Sequence, residues 1–324
     1  MISILLPVYN AAGTVERSIR SLLGQTVREF ELLVLDDGST DRTEEIVRRF
    51  SDERVQYHRL PHGGIAAALN EGIRRSRFDV LARMDAGDIA FPDRLERQYR
   101  ALMQRPEHSI VSCHYAVFRN RSVEYLVEGE TGPDGIRRRL ALHPDIPHQG
   151  VMYRKQFITA AGMYRPVPLE DYDLWLRVKD SAEFILLPEV LMLVEHTRSS
   201  LTNLDVRSRY RDHYALQHPY YPDLTSFGIT DQEETMMTIG WREYFYGTRS
   251  EALRAWRRIG FRLAVHPRIL TALLVMLLLP ERAFITFKEQ RMRQRLSYLM
   301  RYFSAASTRC RAQLRHSLSA EGQG

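Results

Sequence analysis

The residues in this sequence that could do chemistry fall into a few short acidic clusters. In "DDGSTD", Asp36 and Asp37 are adjacent carboxylates. Such a pair can accept hydrogen bonds from the N–H and hydroxyl groups of a base and ribose. A turn and helix cap account for Ser39 to Asp41 equally well. In "RMDAGD", Asp85 and Asp88 are hard oxygen donors suited to Mg²⁺ or Mn²⁺, and such a cation would neutralise a diphosphate. The other reading is a solvated turn opening the next helix, with Asp93 in its first turn after Pro92. In "LEDYDLW", Glu170, Asp171 and Asp173 stand beside aromatic rings. A carboxylate among other acids and apolar groups can titrate high and serve as a general base. Acids in a first helical turn also complement the helix dipole, and that reading suits Asp173. His143, His148 and His196 could each bind a ligand or only hydrogen-bond, and His196 stands out because "EHTRSS" follows an apolar run.

The elements that must position these groups alternate. "ISILLPV" is an apolar run ending near Pro7 and predicts a buried strand over Ile2–Val8. Val15, Ile19, Leu22 and Leu23 recur at helical spacing. "FELLVLDDGS" predicts a second strand, and Asp41 with Glu44 predicts a capping box for a helix carrying Ile46, Val47 and Phe50. "RVQYHRL", "GIAAALNEGI" and "FDVLARMD" continue as strand, helix and strand. This alternation predicts an α/β fold with a mostly parallel sheet flanked by helices. Ligands of such sheets bind beyond the carboxyl ends of the strands. "PVYN", "DDGS" and "MDAGD" all lie at those ends. Further on, Leu95–Met103 reads as a helix, "SIVSCHYAVF" as a strand, "DLWLRV" as a helix and "FILLPEVLMLV" as a strand.

Near residue 205 the pattern changes to helices rich in Arg, Tyr and Met, which predicts domains at 1–205 and 206–324. "ILTALLVMLLL" (Ile269–Leu279) would span roughly 16 Å as a helix, about half of a hydrocarbon core. The basic, apolar stretch that follows fits either an anionic membrane surface or a helix pair packed on the first domain. With 324 residues, 44% hydrophobic and 27% charged, the chain can build a sizeable core. A net charge of +6 suits an anionic partner without choosing among nucleotide, nucleic acid and bilayer. Two cysteines, Cys113 and Cys310, form no disulfide framework and no zinc spacing, in keeping with a reducing compartment. "MISILLPVYN" reads as a strand and lacks the basic region of a signal peptide, so the Asn120 sequon is read as chance. No GxGxxG, Walker lysine or GxSxG pattern occurs. The aromatic residues of the basic tail line an apolar face and offer no stacking platform, so nucleic acid is not expected as a partner.

Taken in order, "SILLPVYN", "SLLGQT", "FELLVLDDGSTD", "GGIAAALNEGI", "ARMDAGDIAFPDRLE" and "LEDYDLWLR" resemble the family 2 inverting glycosyltransferases of GT-A fold, over roughly residues 1–200. The resemblance implies a nucleotide-sugar donor, most often UDP-linked. The implied acceptor is a polysaccharide or a lipid-linked saccharide, and the implied location is the cytoplasmic face of the plasma membrane. Position by position, Pro7 and Tyr9 match residues lining the base, and Asp37, with Asp36 beside it, matches the base-binding carboxylate. Asp85 matches the first acid of the metal motif that holds Mn²⁺ or Mg²⁺ on the diphosphate. Asp171 matches the catalytic base, and His196 a late histidine near metal or diphosphate. The departure is Gly87, where the family pattern carries the acid most directly tied to the metal. Asp88 could take its place, since glycine lets the loop bend. A fold of this kind that binds a sugar nucleotide or a partner without catalysis is the alternative.

Overall fold

A computed structural model of the chain describes residues 1–129, 131–140, 146–195 and 304–319, together with residues 216, 220, 250, 253 and 254. Among these, β1 (Ile2–Val8) runs parallel between β2 (Phe30–Asp36) and β4 (Val80–Arg83), and β3 (Val55–Arg59) lies outside β2. Every residue of β2 is buried, as expected of a strand covered on both faces. The helices α1 (Val15–Leu23), α2 (Thr43–Arg48) and α3 (Ile65–Arg75) are the crossovers that parallel pairing requires. The register sets Val8 opposite Asp36 and Leu5 opposite Arg83, so the polar segments after β1, β2 and β4 leave the sheet side by side.

The predicted parallel pairing holds for these four strands, and the rest of the sheet is mixed. The order is β3-β2-β1-β4-β8-β6-β9-β5, with β7 (Ser122–Val127) on β6 (Ser109–Arg119). The three-residue β8 (Met152–Arg154) is antiparallel to both β4 and β6, and β5 (Ile89–Ala90) is antiparallel to β9 (Glu183–Glu195). An apolar run reports burial and not strand direction, so the sequence could not show this. β9 pairs with β6 along its length and reaches Phe118 opposite Glu195. Through Ile89 opposite Leu193, the end of β9 is laid beside the loop after β4.

The capping box at Asp41 does not form as a reciprocal pair. α2 begins at Thr43, and Asp41 accepts the backbone N–H groups of Thr43 and Ala12, both at 3.0 Å. Glu44 pairs instead with Arg48 and Arg59. Among the described residues the sequence continues with helices α4 (Arg94–Met103), α5 (Pro133–Leu140), α6 (Lys155–Ala160), α7 (Glu170–Val178) and α8 (Ser304–Ser319).

The chain forms two compact units, residues 1–200 with 302–324, and residues 201–301. Residues 206–324, read from the sequence as one helical region, therefore contribute to both. α8 buries Cys310 and Leu314 in a cluster with Ile89, Phe91, Ala116, Phe118, Leu126 and Leu193. The apolar run Ile269–Leu279 and the basic stretch after it lie outside the described residues. Among the described residues no helix is long and apolar enough to cross a membrane.

Candidate active site

The strand ends place an aromatic pair beside buried acids. Tyr9, just past β1, is half-exposed and stacks on His62, with ring centroids 4.7 Å apart and planes 25° apart. Pro7 lies beneath it in β1 opposite Leu35. Asp36 is buried, accepting the Ser39 N–H at 2.7 Å and the Tyr57 hydroxyl at 2.6 Å. Asp37 is 5% exposed and accepts the N–H groups of Gly63 at 2.7 Å and Gly64 at 3.0 Å. It therefore ties down the loop after β3 that presses His62 against Tyr9. Gly38 (φ +78°) makes the turn between these acids and the helix they precede. His62 was not among the residues read from the sequence. Its only signal there is the "PHGG" turn just ahead of α3.

The second corner is the loop after β4. Arg83, nearly fully buried, donates to Asp85 Oδ1 at 2.6 Å, while the Asp85 side chain reaches solvent. α1 grips the loop from behind. Ser18 Oγ accepts the Gly87 N–H and donates to the Asp88 carbonyl, both at 2.8 Å. Gln25 donates to the Phe91 carbonyl at 2.8 Å and accepts the Leu95 N–H at 3.0 Å. Asp88, expected beside Asp85 as a metal ligand, is turned inward. Its Oδ1 accepts the Glu195 N–H at 3.1 Å, and its Oδ2 is enclosed without a partner. Burial, and then the charge of Asp85, push its carboxyl well above the usual carboxylate range.

The third group opens α7. Leu169 takes a left-handed conformation (φ 57°) and turns the chain into Glu170 and Asp171. His148, in a 3₁₀ turn (His148–Gly150), points Nδ1 at both acids, 3.7 Å from Glu170 Oε1 and 3.7 Å from Asp171 Oδ2. These ligand atoms all lie within 4.8 Å of one another, close enough to share a cation. His148 Nε2 is fixed by the Tyr164 hydroxyl at 2.9 Å, which meets the Tyr153 hydroxyl at 3.0 Å. Burial and the neighbouring Asp171 push Glu170 up to about 7. Burial and Arg83 push His148 well below its ordinary value, so the imidazole is neutral. Asp171 also accepts the Tyr172 N–H at 2.8 Å. Asp173, read from the sequence as complementing the helix dipole, is in the first turn of α7 and buried in an ion pair with Arg177 at 2.8 Å.

Arg83 joins the last two corners. Burial works against its charge, yet Asp85, Tyr164, Glu170 and Asp171 together hold it more basic than usual. One enclosed guanidinium thus lies within electrostatic reach of both the Asp85 loop and the acid pair. The arrangement can stack a base, face a polyanion at the Asp85 loop and take a proton from a hydroxyl at the acid pair. His143 and His196 lie outside the described residues.

Similarity to known proteins follows the same pattern. The profile described as Glycosyl transferase family 2 matches residues 3–159. Over 185 residues the chain is 30% identical to the O-antigen biosynthesis glycosyltransferase WbnJ of Escherichia coli, covering 55% of this chain and 71% of WbnJ. It is 29% identical over 196 residues to EpsE of Bacillus subtilis, covering 54% of this chain and 66% of EpsE, just under two thirds. Two solved structures share the fold. TarS of S. aureus in complex with UDP-GlcNAc has a TM-score of 0.57 at 14% identity, over 82% of this chain and 91% of that one. The mannosyltransferase PcManGT of Pyrobaculum calidifontis with GDP-Man and Mn²⁺ has a TM-score of 0.54 at 18% identity, over 89% and 84%.

Proposed function

Because the chain belongs to glycosyl transferase family 2, we propose that it moves a sugar from a nucleotide-sugar, UDP-linked, to a hydroxyl of a polysaccharide or lipid-linked acceptor with inversion at the anomeric carbon. The observation that carries this reading is the placement of the Asp85 loop and the Glu170–Asp171 pair around the buried Arg83. A transferase needs its leaving-group corner and its base on either side of one reacting carbon, and this geometry supports both.

In this reading Tyr9 and His62 stack the base above Pro7. Asp36 and Asp37 shape that corner, and the Asp37 carboxylate, which accepts from Gly63 and Gly64, has lone pairs left to accept from the base or ribose. Asp171 takes the proton of the acceptor hydroxyl as its oxygen attacks the anomeric carbon in line. Glu170, pushed up to about 7 by burial and the neighbouring Asp171, gives up its proton less readily than an ordinary carboxyl. His148, neutral and fixed by Tyr164, orients both acids.

The donor set also fits a hard divalent cation, Mn²⁺ or Mg²⁺, at the diphosphate corner. Asp85 reaches solvent there, and its carboxylate is a hard oxygen donor. Such a cation supplies positive charge for the departing nucleoside diphosphate. The support for it is the solvent-facing Asp85 and the Mn²⁺ bound by PcManGT. Asp88, as placed, braces the loop.

The reading is tested by assaying hydrolysis and transfer over a panel of UDP- and GDP-sugars. Asp171→Asn is expected to lose at least about a hundredfold in turnover while nucleotide binding is kept. Near wild-type turnover would remove Asp171 from the base role. Binding of a nucleotide-sugar with no turnover on any acceptor would favour the non-catalytic alternative. We further place the donor site in residues 1–205 and acceptor selection in residues 206–324, at the cytoplasmic membrane face. Arg291, Arg293 and Arg295 changed to Glu should abolish flotation with anionic liposomes. Equal flotation of variant and parent would exclude this stretch as the anchor.

A further inference from the structure

The gap at Gly87 is closed from the far end of the sheet. A Cβ on Gly87 would lie 3.2 Å from Glu195 Oε2 and 3.7 Å from Arg17 Nη2. Gly87 also has φ +109°, a conformation that residues with side chains rarely adopt. The loop therefore has no carboxylate of its own here and does not readily accept one. The carboxylate that stands at this place belongs to Glu195, the last residue of β9.

Contacts with the loop and with α1 hold it there. Asp88 Oδ1 accepts the Glu195 N–H at 3.1 Å, so the loop's inward acid fixes the end of the strand. Arg17 pairs with Glu195 Oε2 and donates through Nε to the Gly87 carbonyl at 3.0 Å, so one guanidinium bridges loop and glutamate. The Glu195 side chain is 19% exposed and so still meets solvent. Asp88 does not, being enclosed in the protein.

We propose that Glu195 supplies the carboxylate that the Asp85–Asp88 loop lacks, and that Asp85 and Glu195 together hold the divalent cation at the diphosphate. This rests on the reading of that loop as the diphosphate corner. An ionised carboxylate has two oxygens and about four lone-pair sites, so it can serve a guanidinium and a cation together. Arg17 keeps the glutamate aimed and offsets part of its charge.

The test is titration of the full chain with Mn²⁺ in the presence of UDP, and of GDP in parallel, with free Mn²⁺ followed by electron paramagnetic resonance. No sugar is present, so turnover plays no part. Asp85→Asn and Glu195→Gln are each expected to weaken Mn²⁺ binding by at least about tenfold. Metal-free nucleotide binding by Glu195→Gln, measured by calorimetry, should stay unchanged. If Asp85→Asn weakens Mn²⁺ but Glu195→Gln does not, the inference is overturned and the reading of the corner stands. If the parent binds no Mn²⁺, or neither variant weakens it, that reading fails and the inference with it. Should Glu195→Gln also lose nucleotide, Glu195→Asp decides. Weakened Mn²⁺ with nucleotide retained supports the proposal, and any other result overturns it.

Discussion

At the scale of single residues, the site is governed by which carboxyls keep their protons. Asp88 and Glu170 are both pushed up by burial and an adjacent acid, whereas Asp85 faces water beside a guanidinium. Glu170 moves from 4.5 to about 7 on folding. The folded chain therefore keeps a proton that the unfolded chain releases between about pH 4.5 and 7. Glu170's contribution to stability is then full below about 4.5 and lost as pH rises through 7. Glu170→Gln cannot titrate, so its stability should lack this fall. The gap between variant and parent should widen in the variant's favour by at most about 3 kcal/mol from pH 5 to pH 8. Denaturant melts at the two pH values check this, and parallel profiles would refute it. The acids were legible in the sequence as residues. Which of them faces water was not, because exposure depends on strands that lie 70 to 110 positions away.

At the scale of elements, α1 does more than cover the sheet. Val15, Ile19 and Leu22 enter the core, as their spacing foretold, but Arg17, Ser18 and Gln25 are buried as well. Arg17 and Ser18 lie within the helix, Gln25 follows two residues past its end, and together they engage the backbone from Gly87 to Leu95. Asp93, the residue ahead of α4, makes no side-chain cap, and Gln25, two residues past α1, takes the Leu95 N–H instead. A polar residue just past a helix gives no sign of its partner, so this cap was invisible in the sequence. Gln25→Ala would strand a buried N–H and a buried carbonyl, at a cost of about 2 kcal/mol. Thermal melts test this, and a loss below about 0.5 kcal/mol would show that the two groups find other partners.

At the scale of the whole molecule, the last helix is part of the sheet domain. α8 places Cys310 and Leu314 against Phe91, which follows the acidic loop, and Leu193, which precedes Glu195 by two positions. A defect in this cluster should therefore be felt at the loop. Leu314→Ala is expected to cost about 2–4 kcal/mol in denaturant melts. Wild-type stability in this variant would mean that the helix contributes nothing to the domain. The sequence offered two readings of residues 281–303, membrane surface or packing on the first domain, and that stretch lies outside the described residues.

The sequence by itself determined the alternation of strands and helices and the gathering of "PVYN", "DDGS" and "MDAGD" at one sheet edge. Both follow from local periodicity and from the geometry of parallel strands, which need no knowledge of distant contacts. It also marked Gly87 as the missing acid. Only the tertiary structure decided what occupies that place, because the answer lies 108 positions further on, in Glu195, which reaches the loop through the pairing of β5 with β9. The inward turn of Asp88, the stacking of His62 on Tyr9 and the burial of Arg83 between two acid groups are of the same kind. Each depends on which strand ends the fold brings side by side, and chain spacing carries no record of that.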